Sequence, residues 1–124
     1  MITASLNNYR QSPRKVRSVA NLVRGKSVDN ALNTLSFLSK KAADPIYGLL
    51  LSAVANAKNN FNLEKDGLVV KELRVDVGPI MKRRMPRARG NSYPINKRTS
   101  HVSLILEAKA EKKLKEKVVK KEKK

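Results

Sequence analysis

Cysteine is absent from the 124 residues, so a disulfide framework, a thiolate nucleophile and a Cys-ligated zinc are all excluded. Histidine occurs once, at His101, which leaves no second imidazole for a His-based metal site. Long apolar runs are missing too. The longest, Ile46 to Ala57, is broken by Gly48, Ser52 and Asn56 and is too short to span a bilayer. Met1 to Arg10 lacks the apolar core and small-residue cleavage site of a secretory signal, and it is not an Arg- and Ser-rich transit peptide. A reducing, cytosolic setting is therefore expected.

Acid is the next scarcity. Ten Asp and Glu stand against 28 Lys and Arg, a formal net charge of +18. Such self-repulsion weakens a compact state in isolation and calls for a polyanionic partner. The imbalance is regional. Residues 1–26 hold six basic residues and no acid, and residues 78–101 hold seven and no acid. Residues 27–77 carry six of each sign, and residues 102–124 carry nine basic and four acidic. A neutral middle between acid-free segments predicts a folded body that presents charged surfaces.

Hydrophobic spacing gives the elements. Ile2, Ala4 and Leu6 alternate with polar residues and predict a short strand. Ser12 is expected to cap a helix with Pro13 at its first position, Val16, Val19, Ala20 and Val23 on its apolar face and Gly25 at its end. Arg14, Arg17, Asn21 and Arg24 form a separate polar stripe on it. Ser27 is expected to cap a second helix that buries Val28, Ala31, Leu32, Leu35 and Leu38. A third helix runs from about Lys41 to Asn60, on Ile46, Leu49, Leu50, Ala53, Val54 and Ala57. Either Asp44 caps it with Pro45 at its first position, or its first turn is looser than usual.

After Asp66-Gly67 the period changes. Val69, Leu73, Val75 and Val77 predict a strand whose alternation Lys71 breaks, as at an edge or strand end, and Val102, Leu104 and Leu106 predict another. Two or three strands with helices grouped first predict an α+β fold, three helices packed on a small antiparallel sheet with a long extended β-hairpin. The domain is expected at 1–107, with the hairpin protruding at about 78–98. The Lys-rich segment 108–124 is expected to be disordered, or helical only when bound.

The hairpin segment holds Lys82, Arg83, Arg84, Arg87 and Arg89, five basic residues in eight positions with no acid between them. Against phosphate these gain charge-assisted, and for arginine bidentate, hydrogen bonds. None of the three Tyr and two Phe interleaves with this cluster, so the stacking platform of a single-strand binder is missing. Contact with folded RNA through phosphates and shape is the better match. A basic cluster alone also suits a solvated surface or a localisation signal.

Together the motifs resemble a known family, the universal large-subunit ribosomal protein numbered twenty-two in the bacterial scheme. Ser12-Pro13-Arg14-Lys15-Val16-Arg17 with Arg24-Gly25-Lys26 is similar to its first helix, and Ser52-Ala53-Val54-Ala55-Asn56-Ala57 to its small-residue third helix. Val75-Asp76-Val77-Gly78-Pro79, Lys82-Arg83, Pro86-Arg87-Ala88-Arg89-Gly90 and Lys97-Arg98-Thr99-Ser100-His101-Val102 follow in family order, so the resemblance covers roughly 3–107. It implies a structural, non-enzymatic protein of the large subunit, in the cytoplasm, whose hairpin passes through large-subunit ribosomal RNA and lines the peptide exit tunnel.

The implied partners are that RNA, neighbouring large-subunit proteins and the nascent polypeptide, with no membrane, no cofactor and no small-molecule substrate. The implied hairpin is Pro79 to Ile95. Implied RNA contacts are Ser12, Pro13, Arg14, Lys15, Arg17, Arg24, Lys26, Lys82, Arg83, Arg84, Arg87, Arg89, Lys97, Arg98, Thr99, Ser100 and His101. Met81, Lys82 and Arg83 are expected near a tunnel-facing tip. Asn91 and Tyr93-Pro94 depart from the family pattern, and Pro94, which donates no backbone hydrogen bond, weakens the case for ladder pairing there.

Other readings find less support. His101 beside Ser92 or Ser100 lacks a nucleophile elbow, a phosphate loop or a paired acid set, so it is expected to hydrogen-bond or touch RNA at a strand start. Asn56, Asn59 and Asn60 are expected on the helix surface and at its stop, and Met81 and Met85 outside the core. A DNA-compacting architectural protein would need a repeated basic surface, a dimer interface or an intercalating wedge, and none stands out. A membrane-active tail would rest on Leu114, Val118 and Val119 alone.

Overall fold

A computed structural model describes residues 2–109; the Lys-rich tail lies, from residue 110 onward, outside the described residues. Helix α1 (Pro13–Val23) begins with proline at its first position and buries Val16, Val19, Ala20 and Val23. Gly25, at φ +78°, takes the left-handed turn that ends it. Helix α2 (Val28–Ser36) buries Val28, Ala31 and Leu35, with Leu32 and Leu38 half-buried beside them. Ser12 and Ser27 hold the extended cap conformation, but neither hydroxyl makes the expected capping bond. In α1 it is the Ser12 carbonyl that accepts the N–H groups of Lys15 and Val16, at 3.0 and 3.2 Å.

Helix α3 (Ala43–Phe61) does not begin with Asp44 as its cap and Pro45 first; the Ile46 N–H reaches the Ala42 carbonyl at 3.4 Å, a loose first turn. Ala42 is its cap, and Pro45 is its third residue. The first N–H groups of a helix have no partner within it, so a proline there forfeits no bond. The stop falls later than Asn60: Asn62 adopts φ 51°, ψ 34°, and its N–H reaches the Lys58 carbonyl at 3.1 Å. Asparagine tolerates that left-handed conformation better than most residues do.

Strands β1 (Ile2–Tyr9), β2 (Leu68–Pro86) and β3 (Ser92–Ala108) form one antiparallel sheet in the order β1-β3-β2. Cross-strand rows line its inner face: Ile2, Leu106 and Val70; Ala4, Leu104 and Leu73; Leu6, Val102 and Val75. The three helices bury their apolar faces on these rows, and this layer is the core. The opposite face carries Ser5, Ser103 and Arg74 in one register row.

Lys71 sits at a bulge, skipped between the pairs Val70–Leu106 and Glu72–Ile105. One extra residue reverses the parity of the strand. Val70 is therefore buried before the bulge, Leu73 and Val75 after it, and Val77, expected inside, is 59% exposed. Parity alone does not account for Val77. Val77 lies beside Pro13 and Arg14, at the start of α1 where the helical layer gives out, and from Lys82 to Arg98 the strands run on without cover.

Candidate nucleic-acid interface

β2 and β3 continue past the body as a two-stranded arm. Its register runs unbroken from Ile80–Arg98 to Pro86–Ser92, about 20 Å at roughly 3.4 Å per residue. Pairing persists through Arg84–Pro94 despite the missing donor. The arm is closed by Arg87–Asn91, where the Arg87 N–H donates to the Asn91 carbonyl at 2.8 Å. Arg89 and Gly90 both take positive φ, 58° and 73°, which turns the chain through the hairpin. The tip is thus at Ala88–Gly90. Met81, Lys82 and Arg83 are not at it: they pair with Lys97, Asn96 and Ile95, in the middle of the arm. The reason is length, since the ladder holds as far as Pro86.

Directly paired residues share a face of an antiparallel ladder and successive residues alternate. One face of the arm therefore carries Lys82, Arg84 and Arg98 among Ile80, Pro86, Pro94 and Asn96. The other carries Met81, Met85, Tyr93 and Ile95 beside Arg83 and Lys97. Met85, Tyr93 and Ile95 are all exposed, and the Arg87 guanidinium stands 5.9 Å from the centre of the Tyr93 ring. Both faces of the arm thus carry cations among apolar residues, and Met85, Tyr93 and Ile95 lie together on the second.

At the root, Gly78 and Pro79 interrupt the register between Val77 and Ile80. The Thr99 hydroxyl donates to the Pro79 carbonyl at 2.6 Å, and a Cβ at Gly78 would lie 2.5 Å from that hydroxyl oxygen. Thr99 is therefore 2% exposed and Ser100 fully buried. Pro13 is buried under α1. Of these expected RNA contacts, Thr99 and Ser100 are buried at the root, whereas Pro13 lines a surface depression beside Arg14. His101 is half-buried, and its Nδ1 accepts the Asn8 N–H at 3.2 Å. That bond serves the β1 bulge, where Asn8 takes φ 56°.

The α1 stripe divides in the same way. Arg17 donates from both Nε and Nη2 to the Val75 carbonyl, at 3.0 and 2.9 Å, and Arg24 donates from Nη2 to the Leu73 carbonyl at 2.6 Å. Gly25 and Lys26 meet the backbone of Val70 on the same side. The outer edge of β2 is thereby covered over its first half, which protects a strand edge from stray pairing. Part of the donor capacity of Arg17 and Arg24 is spent on this, whereas Arg14 and Lys15 are exposed.

Arg14 and Arg98 line a depression of about 420 Å³ with Val77. Beside it, a cleft of about 430 Å³ gathers Arg10, Lys15, Lys41, Lys97 and Arg98. Among the described residues, no acid lines either one. Arg10 and Lys41 escaped the sequence reading because they lie outside any motif. Lys41 is delivered by the connection before α3, whose carbonyl accepts the Tyr9 hydroxyl at 3.1 Å. Burial and the neighbouring Asp44 raise the Tyr9 phenol above its ordinary value, so it remains a donor at neutral pH.

Asp29, Glu72 and Glu107 are paired elsewhere. Lys65 pairs with Asp29 at 3.1 Å, Lys71 with Glu107 at 3.4 Å and Arg74 with Glu72 at 2.6 Å, all toward the end of the sheet away from the arm. The hydrogen bond from Arg74 holds the Glu72 carboxyl below its usual range. Among the described residues no group of three or more His, Cys, Asp or Glu is placed to hold a metal ion. Charge is thus neutralised at one end and concentrated at the other.

A sequence profile described as ribosomal protein L22p/L17e matches residues 4–107. The chain belongs to that family. Its members are structural, non-enzymatic proteins of the ribosome. A Herpetosiphon aurantiacus protein named large ribosomal subunit protein uL22 is 51% identical over 104 residues, 84% of this chain and 92% of the relative. A Desulfitobacterium hafniense protein of the same name is 50% identical over 102 residues, 82% and 90% of the two chains. The L22p/L17e match runs from within β1 through the whole arm to the last residues of β3, so the hairpin is included in what the family shares.

Proposed function

We propose that this protein is a structural component of the large ribosomal subunit that binds its ribosomal RNA and assembles beside neighbouring subunit proteins. Residues 1–107 act as one RNA-binding unit. The observation that carries this reading is the acid-free cationic surface that runs from Arg10, Arg14 and Lys15 across the root to Lys82, Arg84 and Arg98. It is long, narrow and poor in aromatic platforms, which suits phosphates on folded RNA rather than splayed bases. The arm then serves as an insertion, its Lys82, Arg84 and Arg98 against RNA and its Met81, Met85, Tyr93 and Ile95 toward the exit tunnel and the nascent polypeptide. The protein works in cytoplasmic ribosomes, and among its described helices none is long and apolar enough to cross a membrane.

Sedimentation of tagged protein through a sucrose gradient after a high-salt wash tests this. Nonspecific phosphate contact falls steeply with salt. Stoichiometric retention on large subunits is expected, and loss to the top of the gradient overturns the reading. The triple substitution Arg84→Ala, Arg87→Ala and Arg89→Ala is expected to reduce incorporation at least about tenfold, as charge-assisted phosphate bonds are lost. The helical signal of the body stays unchanged, because the three arginines make no contact with the core.

A further inference from the structure

We infer that the cleft at the hairpin root binds one backbone phosphate group and that its occupation sets the direction of the arm. This rests on the RNA-binding reading above and adds to it a particular site and a mechanical consequence. The cleft is built from two parts of the molecule. Arg10 precedes α1, Lys15 lies in its first turn and Lys41 precedes α3, all in the body; Lys97 and Arg98 belong to the arm. Five cations around one cavity with no acid among its lining repel one another across the root. An anion between them adds an attraction to each cation that outweighs their mutual repulsion.

Chemistry and size favour a phosphodiester. Guanidinium and ammonium groups together match phosphate oxygens, the arginines as forks and the lysines as point charges. The Ser12 hydroxyl, which caps nothing, opens into the same space at the N-terminal end of α1. The volume of about 430 Å³ falls within the range of small-ligand clefts, roughly 300–1,000 Å³, and leaves room for the sugars on either side of a phosphate.

The mechanical part follows from what holds the arm. From Lys82 to Arg98 every residue is exposed, so no side chain of that stretch is buried against the body. The direction of the arm depends on the Gly78–Pro79 irregularity and on the Thr99–Pro79 bond. A phosphate held by Lys15 and Lys41 on one side and by Lys97 and Arg98 on the other is a strut across that joint. Docking of the body on RNA and alignment of the arm thereby become one event.

The full chain, labelled with nitrogen-15, is titrated with inorganic phosphate against chloride at constant ionic strength. One saturable set of shifts is expected at Arg10, Gln11, Lys15, Lys41, Lys97 and Arg98. Shifts that grow without a plateau over all basic residues overturn the site. The pair Lys41→Ala and Arg98→Ala is expected to weaken phosphate binding about tenfold, as charge-assisted bonds are lost. The equal charge change Lys58→Ala and Lys65→Ala serves as control, and an equal loss in it also overturns the site.

Because the chain has no cysteine, Asn59→Cys and Ser92→Cys place two spin labels alone, one on the body and one on the arm. Phosphate is expected to narrow the distance distribution between them, and an unchanged distribution overturns the strut. A mixed-sequence RNA stem-loop is expected to displace phosphate from the cleft. If it does not, the site takes free anions and the backbone assignment falls. If wild-type protein stays on the subunit and the cleft pair stays equally well, with the same salt dependence, the cleft inference fails while the RNA reading stands. Loss of the wild-type protein from the subunit fails that reading instead.

Discussion

At Gly78 a Cβ would stand 2.5 Å from the Thr99 hydroxyl and 3.1 Å from His101 Nε2, closer than packed atoms tolerate. Gly78→Ala must therefore displace the Thr99 side chain or part the strands at the root. We expect a loss of about 1–3 kcal/mol, the usual cost of overfilling a packed site, seen as a lower midpoint in thermal unfolding. An unchanged midpoint would refute the close approach. The same residues explain where the sequence reading misplaced contacts. Lys97-Arg98-Thr99-Ser100-His101 reads as one polar, basic run, yet Lys97 and Arg98 face solvent while Thr99 and Ser100 are sealed beneath the joint. Composition marks a polar run as surface. It does not reveal that a hydroxyl is consumed by a carbonyl twenty positions earlier in the chain.

At the scale of elements, the body and arm are held by different forces. Leu73, Val102 and Leu104 are buried between sheet and helices, whereas the arm rests on its own ladder. A two-stranded ribbon without a packed face is only marginally stable in water. Hydrogen exchange on the free protein is therefore expected to be fast for the amides of 80–98 and slow for those of Leu73, Val102 and Leu104, with the difference shrinking once the protein is bound to RNA. Uniform protection along β2 would contradict this division. The helices were legible because each shows a three-to-four-residue apolar repeat. The arm was legible as an acid-free stretch, but its turn was not. Met81, Lys82 and Arg83 were expected near the tip from the family resemblance, while the turn position was decided by Arg89 and Gly90 accepting positive φ.

At the scale of the whole molecule, charge among the described residues is sorted by position along the sheet. Ion pairs collect at the end where β2 begins and β3 finishes, and uncompensated cations collect at the root and on the arm. Repulsion among those cations is screened by salt within about 10 Å at 0.1 M. The free protein is accordingly expected to unfold at higher temperature as sodium chloride is raised from low concentration, and a falling midpoint would argue against repulsion as the limiting term. The same salt weakens RNA binding. Stability of the free chain and affinity for RNA should thus move in opposite directions, as they must when one set of charges serves both.

What the sequence by itself determined is the content of each element: three helices by apolar spacing, strands by alternation, and an acid-free excess that demands a polyanion. These follow from periodicity and composition, which are local quantities. Which cations remain free was decided only in the tertiary structure. Arg17 and Arg24 are drawn onto the carbonyls of Val75 and Leu73, because α1 lies along the open edge of β2. Arg10, Lys15, Lys41, Lys97 and Arg98 meet at one cleft, because the β1 bulge, the start of α1, the approach to α3 and the base of the arm converge there. Such convergence joins residues as far apart as Arg10 and Arg98, and only the folded chain brings them within reach of one phosphate.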